Sequence, residues 1–169
     1  FIPDADNMGG IVTISGSPSA FSAYLLKLTP NGNLTWHYSL VSSNRAEGRG
    51  LALFQNQDVL WTGEFWGTTD FDNGTNTVSG ATVGPRDVFA LHISNAGNYV
   101  NHGVIGGNQN EFMGGVAINS SDQAVLTGSY IATADLDPTS TVSNYTALGN
   151  SDCFLVSMGQ CATSFGSLT

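Results

Sequence analysis

The sequence predicts an all-β fold built from one unit repeated in tandem. Three observations predict it: charge is scarce, turn and strand formers are abundant, and one string of residue types returns at a constant step. Charged residues make up 10% of the 169, against about 25% in a typical soluble domain. Gly, Ser, Thr and Asn take their place; they favour turns and, for Thr, strands, whereas long helices want Ala, Glu, Lys and Leu. A hydrophobic share of 41% in a chain of this length suffices for a buried core. No segment combines helical periodicity with helix caps.

The step is 65 residues. Gly50-Leu51-Ala52-Leu53 matches Gly115-Val116-Ala117-Ile118, and Leu60-Trp61-Thr62-Gly63-Glu64-Phe65 matches Val125-Leu126-Thr127-Gly128-Ser129-Tyr130. Asp70-Phe71-Asp72 matches Asp135-Leu136-Asp137, and Asp4-Ala5-Asp6 sits one step earlier, give or take a residue. Ala23-Tyr24-Leu25-Leu26, Val88-Phe89-Ala90-Leu91 and Cys153-Phe154-Leu155-Val156 form a third column. A period of this length is the mark of a repeat architecture.

Each period reads as four short antiparallel strands. The first, Gly50–Phe54 or Gly115–Asn119, ends in a polar turn, and the second follows at Val59–Phe65 or Ala124–Tyr130. A long loop with the paired aspartates comes next. The third strand, Ala23–Leu28, Val88–Ile93 or Cys153–Met158, is apolar at successive positions, so it is expected inside a sheet. A turn with Gly32 or Gly97, at a position suited to positive φ, leads to the fourth strand, Leu34–Leu40 or Tyr99–Ile105. The chain opens just before a third strand and closes after a fourth. The expected organisation is a half unit (1–49) and two full units (50–114 and 115–169), about two and a half in all.

Read in order, Asp70-Phe71-Asp72-Asn73-Gly74, Asp87-Val88-Phe89-Ala90, Asn95-Ala96-Gly97-Asn98, Ile105-Gly106-Gly107, Val116-Ala117-Ile118 and Leu126-Thr127-Gly128 resemble the bacterial SBBP-type β-propeller repeat. The resemblance covers nearly the whole chain. It implies four-stranded, propeller-like blades and an extracellular or cell-surface location, and it brings no catalytic residues. Closed propellers typically have about four to eight blades, so a closed monomeric ring is not expected. The third copy also departs from the pattern, with Gln160-Cys161-Ala162-Thr163 at the Asn-Gly turn.

A half unit at one end and a bare sheet face at the other leave unpaired strand edges, which seek partners. The expected function is therefore that of a secreted, non-catalytic structural protein. Its copies would join head to tail into a fibril or filament by strand or edge complementation. The alternative is a glycan- or protein-binding adhesion module cut from a larger propeller, with neighbouring blades as its partners. The net charge of −9, with only Lys27, Arg45, Arg49 and Arg86 as cations, speaks against nucleic-acid binding. No apolar run is long enough for membrane insertion as a helix. Phe1-Ile2-Pro3-Asp4 does not read as a signal peptide, so a secreted form would be a processed or partial chain.

The chemistry-bearing residues are few, and no motif of an enzyme is present. Asp70, Asp72 and Asn73, with Asp135 and Asp137 one step on, cluster oxygen ligands as calcium does; the competing reading is that these carboxylates cap loop amides. Cys153 and Cys161, the two cysteines, are expected to form a disulfide across the last hairpin, or else to be two buried thiols. Asn33, Asn73, Asn119 and Asn144 head glycosylation sequons. Trp36, Trp61, Phe65, Trp66 and Tyr130 pack the core or stack on sugars, Trp66 being the one at a strand end. His37, His92 and His102 lack zinc-site spacing.

Overall fold

The computed structural model describes residues 20–139 and 141–159. Every regular element among them is a strand. β1 (Ala23–Leu28) and β2 (Leu34–Ser42) form one hairpin, β3 (Arg45–Leu53) and β4 (Val59–Trp66) the next. A small hairpin, β5 (Thr68–Asp70) and β6 (Ser79–Ala81), precedes β7 (Asp87–Ile93) and β8 (Tyr99–Gly107). β9 (Glu111–Ile118) and β10 (Gln123–Tyr130) follow, then a second small hairpin, β11 (Thr133–Asp135) and β12 (Asn144–Thr146), and finally β13 (Asp152–Gly159).

These strands make three antiparallel sheets, none closed into a barrel: β1-β2-β5-β6, β3-β4-β7-β8-β11-β12, and β9-β10-β13. The expected loop with the paired aspartates is in fact a hairpin. It leaves its own sheet and adds to the fourth strand of the preceding one. β5 pairs with β2 through Val41↔Asp70 and Ser42↔Thr69, and β11 pairs with β8 through Ala134↔Gly107 and Asp135↔Gly106. The first strands also begin earlier than the apolar pattern suggested. Arg45, Ala46 and Glu47 pair with Trp66, Phe65 and Glu64 before a bulge between Gly48 and Gly50. The polar residues at this end read as loop only because their partners are distant in sequence.

The core lies between the sheets in two clusters, one step of 65 residues apart. In the first, Tyr38 and Leu40 of β2 meet Trp61, Phe65, Phe71, Phe89 and Leu91. In the second, Leu60, Val88, Ala90 and Ile105 meet Leu126, Tyr130, Leu136, Phe154, Val156 and Met158. Alternation along a strand sends Trp61 to one face and Leu60 to the other, so the middle sheet is buried on both sides. β7, flanked by β4 and β8, is buried at all seven positions. β1 and β13, expected inside sheets like β7, are sheet edges among the described residues, and both are half exposed.

A Thr-Gly pair in the second strand makes this packing sterically feasible. A β-carbon on Gly63 would stand 2.7 Å from the Phe89 ring, and one on Gly128 would stand 2.4 Å from the Phe154 ring. The turn glycines Gly32 and Gly97 adopt φ of 88° and 87°, which side-chain-bearing residues rarely tolerate. Around Phe89 the aromatic rings meet edge to face, Trp61 at 5.9 Å and Phe65 at 6.4 Å. Tyr38 donates its hydroxyl to the Phe71 carbonyl at 2.6 Å, tying the clustered rings to the β5–β6 hairpin.

Truncating Phe89 to Ala should cost about 3–5 kcal/mol, the usual range for a fully buried aromatic. Tyr38→Phe should cost about 1–3 kcal/mol, because the buried Phe71 carbonyl loses its donor. Urea unfolding of both variants against the parent protein checks the order.

Candidate functional site

The paired aspartates hold the small hairpins in shape. Asp70 Oδ1 accepts the backbone N–H of Asp72 at 3.1 Å and of Val78 at 2.9 Å, and Asp72 Oδ1 accepts that of Gly74 at 2.8 Å. One step on, Asp135 Oδ1 accepts from Asp137 and Ser143, and Asp137 Oδ1 from Thr139, at 3.1, 2.9 and 2.9 Å. This is the geometry of amide-capping carboxylates. Among the described residues no three His, Cys, Asp or Glu side chains are grouped to hold a metal ion. Calcium at these loops would have to compete with the amides for the same oxygens. Asp4 and Asp6 lie outside the described residues.

Asn73 adds a second function to its loop. Its Oδ1 accepts from the Ser39 amide and hydroxyl at 3.1 and 2.9 Å, and its Nδ2 donates to the His37 carbonyl at 3.2 Å. The hairpin tip is thereby clasped onto β2 of the preceding sheet. Asn119 is similarly committed, accepting from the Ser121 and Gln123 amides. Asn33 and Asn144 are exposed, the first in a turn and the second on the edge strand β12.

All three arginines gather at one end of the middle sheet. Glu64, 3% exposed, accepts from Arg86 at 3.2 Å, from Arg49 at 3.3 Å and from the Met113 amide of the next sheet at 3.0 Å. Arg45 and Arg49 both pair with Glu47. Guanidinium groups of Arg45 and Arg86 lie 4.9 and 5.4 Å from the Trp66 ring, so cations already occupy the surroundings of this strand-end tryptophan. Trp61, Phe65 and Tyr130 are buried core residues, and Trp36 is half-buried, donating to the Asn95 carbonyl at 3.0 Å.

Beside this cluster sit two fully buried carboxyls, Asp87 and Glu111, from adjoining sheets. Asp87 Oδ2 caps the Val83 amide at 2.9 Å, a bond repeated by Asp152 on Leu148, and Glu111 Oε2 accepts from the Gly107 amide at 3.0 Å. Burial pushes both acids up, Glu111 to about 8, with the neighbouring Asp87 charge adding to the effect. A proton kept on Glu111 lets the two carboxyls coexist in the junction. Sequence reasoning missed this pair. Asp87 repeats as Asp152, which was a legible signal, but Glu111 has Ala46 as its counterpart, which was not.

A furrow runs along β1. One edge of β1 pairs with β2, and the other faces two hollows lying end to end, of about 660 and 370 Å³. Leu25 and Trp36 wall it on one side, Leu51 and Leu53 on the other. Leu51 and Leu53 are 53% and 56% exposed, whereas their counterparts Val116 and Ile118 pack against the second core cluster. The counterpart of β1 is β7, whose corresponding edge carries β4. Among the described residues no strand occupies the place beside β1 that β4 occupies beside β7.

Of the histidines, His92 contacts Asp58 at 2.9 Å and His102 stacks on Phe71 at 4.3 Å, on different elements, while His37 is half-buried on β2. Cys153 is exposed, and its expected disulfide with Cys161 lies outside the described residues.

Two outcomes follow from these contacts. The raised pKa of Glu111 means that its contribution to stability is fully present below the usual carboxylate range and is lost as pH rises through about 8. Thermal midpoints should therefore fall across that pH, and Glu111→Gln, which keeps a neutral donor facing Asp87, should flatten the fall. In a glycosylating host, mass spectrometry should find glycans at Asn33 and Asn144 ahead of Asn73 and Asn119, whose amides are already bonded.

No family model matches this chain, and no curated protein matches it.

Proposed function

We propose that the chain is a non-catalytic extracellular structural protein whose copies join into fibrils by completing one another's sheets. In this reading the four-stranded meander β3-β4-β7-β8 is one blade of a propeller-like repeat of the SBBP type, and the flanking sheets are the adjoining blades. The furrow along β1 carries the reading. Among the described residues it offers an unpaired strand edge beside an apolar wall, and a strand from a neighbouring copy would bring both the ladder bonds and the side chains it lacks. The inward acid cluster fits the same reading, since Glu64 of the middle sheet accepts the Met113 amide of the next, and the aspartate caps fit it by shaping the hairpins that reach back to the preceding sheet.

The furrow also favours a second reading, because the preceding blade of a longer propeller would fill it equally well. The chain would then be a slice of an adhesion module that binds glycan or protein.

Negative-stain microscopy of the native material separates the two. Regular filaments are expected, and Leu51→Lys with Leu53→Lys should abolish them while leaving circular dichroism unchanged, since both side chains already stand in solvent. A chelator tests the aspartate loops in the same preparation: loss of order would assign them calcium, and unchanged filaments would leave them as loop caps. Compact single particles under all conditions would sink the fibril reading and leave the slice.

A further inference from the structure

We propose that the two end faces of the chain are the two halves of one interface, and that a second copy covers each. The outward face of β10 and β13 on one copy would pack against the outward face of β1 on the next. The inference rests on the fibril reading above and names the surfaces that join.

The argument is one of register. Within the chain, Val88, Ala90 and Leu60 on one face of the middle sheet are covered by Phe154, Val156, Met158 and Leu126 of the following sheet. Shifting the first group by 65 gives Cys153, Leu155 and Val125. These lie on the opposite face of their strands from Phe154, Val156 and Leu126, and among the described residues nothing buries them: Cys153 is exposed and Leu155 is 69% exposed. Shifting Phe89, Leu91 and Ile93 back by 65 gives Tyr24, Leu26 and Leu28. Phe89, Leu91 and Ile93 are fully buried against the preceding sheet, whereas Tyr24 and Leu28 are 43% and 46% exposed. The described residues therefore carry, uncovered among themselves, both members of a pairing that they make twice internally.

Composition supports a dry contact rather than a solvated end. Glu64 and His92, two ionisable groups on the internal face, are replaced by Ser129 and Ser157 on the end face, and Thr62 by Thr127. The end face thus carries hydroxyls but no charge at these positions, with Leu155 at its centre beside a hollow lined by Phe112, Thr127 and Phe154. A surface meant for water would be expected to keep the charge. Two different surfaces that match each other, not themselves, make a heterologous contact, which propagates as a filament when it does not close.

Cys153 reports on the contact directly. In a Cys161→Ser background, reduced protein is assembled and treated with a maleimide, and the labelling rate of Cys153 is compared with that of dissociated chains. Labelling about tenfold slower in filaments is expected, and Leu155→Glu or Tyr24→Lys should each raise the critical concentration by about tenfold or more, since each places a charge in the contact. Both positions are solvent-exposed in the single chain, and unchanged melting points would show that folding is intact. Filaments in which Cys153 labels as fast as in free chains would overturn the face pairing while leaving fibril formation standing. Parent protein that forms no filaments at any concentration would overturn both.

Discussion

The seating of a third-strand phenylalanine over a second-strand glycine sets the spacing on which the other contacts depend. Phe89 fits over Gly63 and Phe154 over Gly128, and any side chain at either glycine would collide with the ring. Once the ring lies flat in that gap, its edge reaches the neighbouring sheet. Trp61 then meets it at 89° and Phe65 at 66°, and Tyr38 and Leu40 close the layer from the other side. The same arrangement, with Leu126 and Tyr130 in the aromatic positions, joins the middle sheet to the last. Burial on both faces of β7 is the result, and it accounts for a strand with almost no polar alternation.

Polar contacts then join the stacked sheets at their margins. The small hairpins β5–β6 and β11–β12 reach back one sheet, and the aspartates within them hold the loop in the shape that allows the reach. Asn73 fastens the tip. Where the middle sheet meets the next, Glu64 takes an amide from that sheet while paired to two arginines, and the Asp87–Glu111 pair sits at the same junction. A buried ion pair of this kind contributes little net stability but is costly to disrupt, so its natural effect is to fix which sheet sits beside which.

A stack held in this way has no intrinsic end. The middle sheet is finished by its neighbours, and among the described residues the two outer ones present the same surfaces without them. That property, more than any individual residue, makes assembly the reading we favour over catalysis, and it accounts for the exposure of Leu155, while Leu51 and Leu53 of the middle sheet stand open where β1 has no second strand beside it among the described residues.

Much of this was legible in the residues alone. The step of 65, the order of four strands, the positive-φ turn glycines and the identity of the core aromatics all follow from local patterns, because strand alternation and turn stereochemistry act over a few residues. The aspartate pairs were legible as a repeated motif, though sequence left them open between cation ligands and loop caps. What lay beyond it was pairing between distant segments. The hairpins β5–β6 and β11–β12 are too short and polar to announce themselves as strands, and they exist only because a fourth strand offers them an edge. Glu111 and Asp87 are unremarkable acids until two sheets close around them and remove the water. Sequence by itself determined what each strand is made of and which side it buries; only the tertiary structure decided which strand lies beside which, because ladder bonds are the same for every partner and the choice among them is made by packing.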